Sequence, residues 1–369
     1  MSVKVYDRKR GAVYDEPQYG ERRLHLLYET AFGRLLLGAV FARPWYSGLN
    51  AILNKSRYSV RKIQPLVDRF DIDMSDYPEQ SYTSYDSFVT RKIDPARRPI
   101  ASHPDALIAV ADSRVLAYSV SHDGRIPVKQ SSYTVTELLR DPELAAAYNE
   151  GTCLVFRLGT EDYHRYCFAD DGEVIRTKSI NGVLHSVQPI SSTRYKAFSE
   201  NHREYTVIET ANFGTVVTVE VGAILVGKIH NHDVTSCRRG QEKGYFSLGG
   251  SAILFLLKPG TVKIDSDIAE HSRKQIETKV RLGEKVGEKV QAQLRSARRA
   301  RRASGGHSSL VGAGAEPAHE HGDDVGRDLG PPRHEVQEGR PVEDEQVRIY
   351  RGHYVSRARR WVEHRQFPE

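Results

Sequence analysis

Apolar and polar positions divide the chain into three stretches of different character. Over residues 22–58, Leu24, Leu27, Ala31 and Leu35 recur at helical spacing, with Arg22, Arg23, Glu29, Arg34 and Arg43 among them. Leu26, Phe32, Leu36, Leu37, Val40 and Phe41 widen the apolar face, and Trp45 and Tyr46 follow Pro44, which is expected to end or kink the segment. Such a face packs on a core or lies in a lipid interface, basic at its edges and aromatic near its end. From about Asp105 to Asp265 the runs shorten and turn residues separate them. CLVFRL (153–158), YTVIET (205–210), TVVTVEVGAILVGKI (215–229) and SAILFLL (251–257) predict strands, interrupted by a short helix over 135–148.

Beyond about Glu288 the apolar pattern stops. Arg295, Arg298, Arg299, Arg301 and Arg302 crowd together, and a Gly/His/Glu/Asp/Pro-rich stretch runs to about Glu345. A segment so polar cannot bury enough surface to fold and is expected to be disordered. Its histidines read as a solvated tail rather than a metal site, and its arginines as a solvated run. The fold expected is α+β: a helical region over 1–100, a mostly antiparallel β-sheet domain over 101–290, and a low-complexity, disordered C-terminal tail over 291–369.

Composition narrows the function little. The chain is 39% hydrophobic, enough for a sizeable core, and its net charge of +6 suits anionic lipid as well as nucleic acid. Three cysteines, Cys153, Cys167 and Cys237, are too few and odd in number for a disulfide framework and fit a reducing compartment. MSVKVYDRKRG has no apolar stretch after its charges, so no signal peptide is expected, and Leu35–Ala42 is too short to span a bilayer.

The chemistry concentrates at GYFSLGGSAILFLL (244–257), where two glycines and a serine stand before a buried-strand run. Glycine weakens a strand unless a bend or close approach needs it. A serine hydroxyl can attack the carbonyl of the preceding peptide bond if the backbone bends there, and Gly249 and Gly250 remove the Cβ atoms that would obstruct it. The resulting ester can eliminate to dehydroalanine, which hydrolyses to a pyruvoyl group. Most Gly-Gly-Ser tripeptides are plain turns; the neighbouring motifs make the difference.

SYDSFVTRKIDPARRPI (84–100), VADSRVLAY (110–118), RLGTEDYHRYCF (157–168), NGVLHSVQPI (181–190), RRGQEKGYFSLGGS (238–251) and ETKVRLGEKVG (277–287) follow one another in the order seen in the pyruvoyl-dependent phosphatidylserine decarboxylases. The chain resembles that family from about Tyr6 to Gly287, in the subgroup with a longer N-terminal region. The resemblance implies self-cleavage between Gly250 and Ser251, giving chains 1–250 and 251–369 that stay associated. Ser251 would become the covalent pyruvoyl cofactor, with no metal. Asp112 matches the aspartate of an Asp-His-Ser relay. His164 matches the histidine associated with decarboxylation, and Asp162 a neighbour that orients it. At the position of the relay histidine stands Cys167, a poor proton acceptor beside imidazole. Ala252 replaces the usual Thr, and Val89 the second Phe of a Phe-Phe pair.

The implied partners are phosphatidylserine and a membrane surface, with no nucleic acid and with homo-oligomerisation left open. The expected location is peripheral, on the cytoplasmic face of a membrane. Two other readings stand beside this one. One is a pyruvoyl decarboxylase of a soluble amino acid; the other is a lipid-binding homologue that never matures because Cys167 replaces the base.

Overall fold

Short alternating runs dominate the chain, and they assemble into one large sheet. The computed structural model describes residues 3–18, 20–78, 81–129, 131–191, 194–224, 228–248, 251–290 and 347–349. In chain order the strands are β1 (Val3–Asp7), β2 (Ala12–Glu16), β3 (Ala106–Ile108), β4 (Ser113–Ser119), β5 (Arg125–Val128), β6 (Ser131–Thr134), β7 (Thr152–Leu158), β8 (Arg165–Cys167), β9 (Gly172–Ile180) and β10 (Arg203–Thr210). They continue as β11 (Gly214–Val221), β12 (Lys228–Asn231), β13 (Ser236–Cys237), β14 (Glu242–Ser247), β15 (Ser251–Leu257), β16 (Val262–Ile264), β17 (Glu277–Val280), β18 (Lys285–Lys289) and β19 (Val347–Ile349).

Among the described residues the main sheet runs β13-β9-β10-β11-β15-β7-β4-β17-β1-β2, with β19 also on β9. Every pairing in it is antiparallel except β1 with β17. The α+β class expected from the sequence is the one observed. β15 lies between β7 and β11, and all seven of its residues are buried, as a continuous apolar run demands. Beside the main sheet sits the ribbon β12-β14-β8.

Two boundaries differ from the sequence reading. Residues 3–16, grouped there with the helical region, form a β-hairpin on the main sheet. Val3 and Val5 alternate inward, and Gly11 takes the left-handed conformation (φ 62°) that the turn requires. The described residues up to Val290 belong to one compact unit. Of the expected tail, only β19 falls within the described residues.

The predicted helix over 22–58 is three: α1 (Glu21–Glu29), α2 (Ala31–Leu36), which continues as a π-helical turn to Phe41, and α3 (Pro44–Lys55). Pro44 opens α3 instead of kinking a longer helix, because its missing N–H is harmless at a first turn. The earlier break, at Thr30, escaped the periodicity. Thr30 Oγ1 caps α2 by accepting from Gly33 N at 2.9 Å, and α1 and α2 meet at 88°. A Cβ on Gly33 would lie 2.0 Å from Leu26 O, so only glycine allows this crossing. α4 (Ile63–Phe70) and α5 (Tyr85–Val89) follow. The helix predicted over 135–148 is likewise two short helices, parted at Arg140 (φ 46°) before Pro142.

An ion network fastens the hairpin to the sheet. Arg114 on β4 and Arg157 on β7 stand directly opposite each other, an arrangement that repels unless carboxylates intervene. Glu16 on β2 does so, accepting from Arg114 Nε at 2.6 Å and Arg157 Nη2 at 2.9 Å. Glu277 on β17 takes Arg157 Nη2 and Lys129 Nζ, each at 2.6 Å. Burial alone would raise the Glu277 carboxyl, but Arg157 and Lys129 outweigh it and hold it at about 2. A carboxyl held below its ordinary value stabilises the fold fully above that value and progressively less in acid. Glu277→Gln should therefore cost roughly 3–5 kcal/mol at neutral pH, since it leaves buried cations short of a partner. In urea titrations across pH, the gap from wild type should close as pH falls from about 4.5 to about 2; a gap independent of pH would refute this role.

Candidate active site

The ladder registers gather the candidate residues at one end of three central strands. Arg114, Arg157 and Ala252 pair across β4, β7 and β15, and Ser251 pairs with Leu158. Asp112 therefore ends β4 on the same edge where Gly159 leaves β7 and where Ser251 enters β15. β8 is brought to this edge by Cys167 N, which donates to Val110 O at 2.9 Å. Phe246 N donates to His164 O at 3.0 Å, tying the histidine to the strand that leads toward Ser251.

Ser251 is fully buried, and its Oγ has no hydrogen-bond partner among the described residues. A buried hydroxyl left without a partner costs free energy unless it serves a purpose. Gly249 and Gly250, on the other side of the expected cleavage bond, lie outside the described residues. Leu248, just before them, is described. It holds φ 65°, a left-handed conformation that costs a side-chain-bearing residue about 1–2 kcal/mol. The residue in the left-handed conformation immediately before the two glycines is thus a leucine.

Asp112 is fully engaged. Arg98 donates to it from Nε at 2.9 Å and from Nη2 at 2.6 Å, and Leu282 N donates at 2.8 Å. Arg98 also reaches Asp76 at 2.8 Å, which ties the segment after α4 to the same edge. Asp162 holds its neighbour through its backbone, not its carboxylate. Its carbonyl accepts from His164 Nδ1 at 2.8 Å, so neutral His164 carries its proton on Nδ1 and its lone pair on Nε2. The Asp162 carboxylate instead accepts from Gly159 N at 2.6 Å and pairs with Arg114. Burial pushes it up to about 7, opposed by Arg114 and reinforced by Glu161.

Cys167 is buried beneath this edge. Burial first, and then the nearby Asp112 charge, push its thiol up to about 12. It is a protonated thiol at neutral pH, not a base. Three residues that carry the arrangement had no role in the sequence reading: Arg98, Arg114 and Leu248. The first two stand inside quoted motifs, RRPI and ADSR, which do not name their partners. Nothing in the sequence marked the Leu248 conformation. Among the described residues no cluster of His, Cys, Asp and Glu could hold a metal ion.

The phosphatidylserine decarboxylase family model matches residues 85–288. The chain is 48% identical over 288 residues to phosphatidylserine decarboxylase proenzyme 2 of Clostridium acetobutylicum, an alignment covering 78% of this chain and 99% of that protein. It is 37% identical over 293 residues to a phosphatidylserine decarboxylase proenzyme of Desulfitobacterium hafniense, covering 77% and 98%. With the proenzyme of Fusobacterium nucleatum the identity is 36% over 291 residues, covering 77% and 97%.

The state of Cys167 can be checked directly. Alkylation requires the thiolate, so at pH 8 iodoacetamide should label native Cys167 at least ~100-fold more slowly than the urea-unfolded chain. Peptide mass mapping reads the site, and comparable rates would show an ionised or exposed thiol.

Proposed function

The chain belongs to the phosphatidylserine decarboxylase family, and on that premise we propose how its own residues carry out the conversion of phosphatidylserine to phosphatidylethanolamine and carbon dioxide. The observation that carries the reading is Ser251: a buried hydroxyl without a partner among the described residues, at the mouth of a fully paired strand and three residues after a left-handed leucine. Those surroundings fit a serine consumed in making a prosthetic group. Ser251 Oγ attacks the Gly250 carbonyl carbon. The new C–O bond replaces the Gly250–Ser251 amide C–N bond and yields an ester. Loss of the Ser251 Cα proton expels the Gly250 carboxylate, and water then displaces ammonia to leave a pyruvoyl group. That group supplies an electron-accepting ketone for the substrate's decarboxylation.

His164 is the general base in this scheme. Its Nδ1 donates to the Asp162 carbonyl, which fixes the ring and makes Nε2 the basic nitrogen of the neutral imidazole. Asp112, locked by Arg98, shapes the edge electrostatically and does not relay protons through Cys167, whose thiol stays protonated. In decarboxylation the same His164, once charged, returns a proton to the substrate carbon. Ser251→Ala and His164→Ala should each remain a single chain on a denaturing gel. Cys167→Ala should separate into two within a few-fold of the wild-type rate, since general-base assistance is typically worth ~10²–10⁴-fold. A two-chain Ser251→Ala protein would end the proposal.

The lipid reading of the substrate draws support from α1–α3. Leu24, Tyr28 and Leu37 turn inward against Val183, Ile190 and Tyr195. The other side exposes Leu26, Leu35, Trp45, Leu49, Leu53, and most fully Phe32 (69%) and Ile52 (69%). No single described helix is long and apolar enough to cross a bilayer. Such a patch, rimmed by arginines, suits peripheral docking on a lipid surface, and three unpaired cysteines accord with the cytoplasmic face. Each of these side chains gains roughly 1.5–3 kcal/mol when fully buried. A Phe32→Asp, Ile52→Asp double variant should lose at least ~10-fold in liposome affinity by flotation while keeping its thermal melting temperature. Unchanged flotation would assign the patch to another partner.

A further inference from the structure

We propose that Leu248 is a positioning residue for self-cleavage, and that helix α5 is the surface against which it holds the chain bent. The inference rests on the reading of Ser251 as the self-cleaving residue and names what places its target bond. Leu248 precedes Gly250 by two residues and holds a left-handed conformation that leucine avoids unless its surroundings enforce it. Those surroundings are visible. Its side chain is 2% exposed and packs in a small cluster with Leu66 of α4 and with Tyr85, Phe88 and Val89 of α5, apart from the main core.

α5 is held firmly enough to act this way. Ser84 and Ser87 close a capping box at its N-terminus, and Tyr85 N donates to Ser59 Oγ at 2.8 Å. At its other end, Arg165 on β8 donates to Thr90 O at 2.8 Å and to Arg91 O at 3.3 Å. Arg165 directly follows His164 in the chain. The segment from α5 to Arg91 therefore reaches both the strand that directly follows the base and the cluster that holds Leu248. Glycine at 248 would adopt φ 65° without cost but could not grip α5. A leucine there couples the turn to the helix.

The role belongs to the first step, attack on the Gly250 carbonyl, which needs that carbonyl turned toward Ser251 Oγ. It has no part in the later elimination. Purified proenzyme would be followed by denaturing gel over time. Leu248→Ala should slow chain separation at least ~10-fold, equivalent to about 1.4 kcal/mol of barrier. Leu248→Met, which refills the cluster, should return to within about threefold of wild type. Phe88→Leu should slow cleavage from the other side of the contact, and combining it with Leu248→Ala should add less than the product of the two. Each variant would also be made with Ser251→Ala, and its melting curve compared, so that slowing is read only in folded protein.

Hydroxylamine supplies the readout that a merely structural role would not move, because it cuts an ester readily and an amide hardly at all. If Leu248 governs ester formation, hydroxylamine should not rescue Leu248→Ala. Rescue would overturn the assignment by placing the block after the ester. Wild-type kinetics in a folded Leu248→Ala protein would overturn it outright. A wild-type chain that never separates would instead defeat the underlying reading of Ser251.

Discussion

The Arg114 guanidinium is the interaction on which the rest of this structure depends. It is buried and shared among Glu16 from the N-terminal hairpin and Glu161 and Asp162 from the turn after β7. Burying such a charge is tolerable only with several hydrogen-bonded carboxylates around it. Here those carboxylates come from segments about 145 residues apart in sequence. The Asp162 turn is thereby fixed, and with it the carbonyl that orients His164. A stability device and a positioning device are the same group of atoms.

The helical region and the sheet both reach the site. Strand register delivers Asp112, Gly159 and Ser251 to one edge, while α4 and α5 reach it through Asp76 and Leu248. The outward side of the helices before them is apolar and exposed. The elements that would meet lipid are thus continuous in sequence with those that brace the cleavage segment.

Much of this was legible beforehand because it rests on short-range pattern. The apolar runs over 153–158, 205–210 and 251–257 became strands within a residue or two, and ordered motifs singled out Asp112, His164 and Ser251 as candidates. What escaped depends on tertiary placement. Val3 and Val5 alternate too briefly to signal a strand until β17 supplies a partner. Thr30 and Gly33 break a helix only because α2 folds back across α1. Asp162 and His164 share a motif, but no sequence pattern says that a backbone carbonyl would hold the ring while the carboxylate serves Arg114. Arg98 and Arg114 stood inside quoted motifs without a role, since an arginine's partners cannot be read from its neighbours.

The place of β15 in the sheet constrains what can be left behind at residue 251. Simple hydrolysis of the preceding bond would create an α-ammonium there, a full positive charge at a position with no solvent exposure, and isolated charges in such surroundings are strongly disfavoured. A keto terminus is neutral and asks for no counter-ion. Of the strands that follow the cut, β15 and β17 are each flanked on both sides by strands that precede it. The severed pieces would be interleaved like the fingers of two hands. Neither could leave without dismantling the sheet, and a dilution that dissociates ordinary subunits would have no purchase on them.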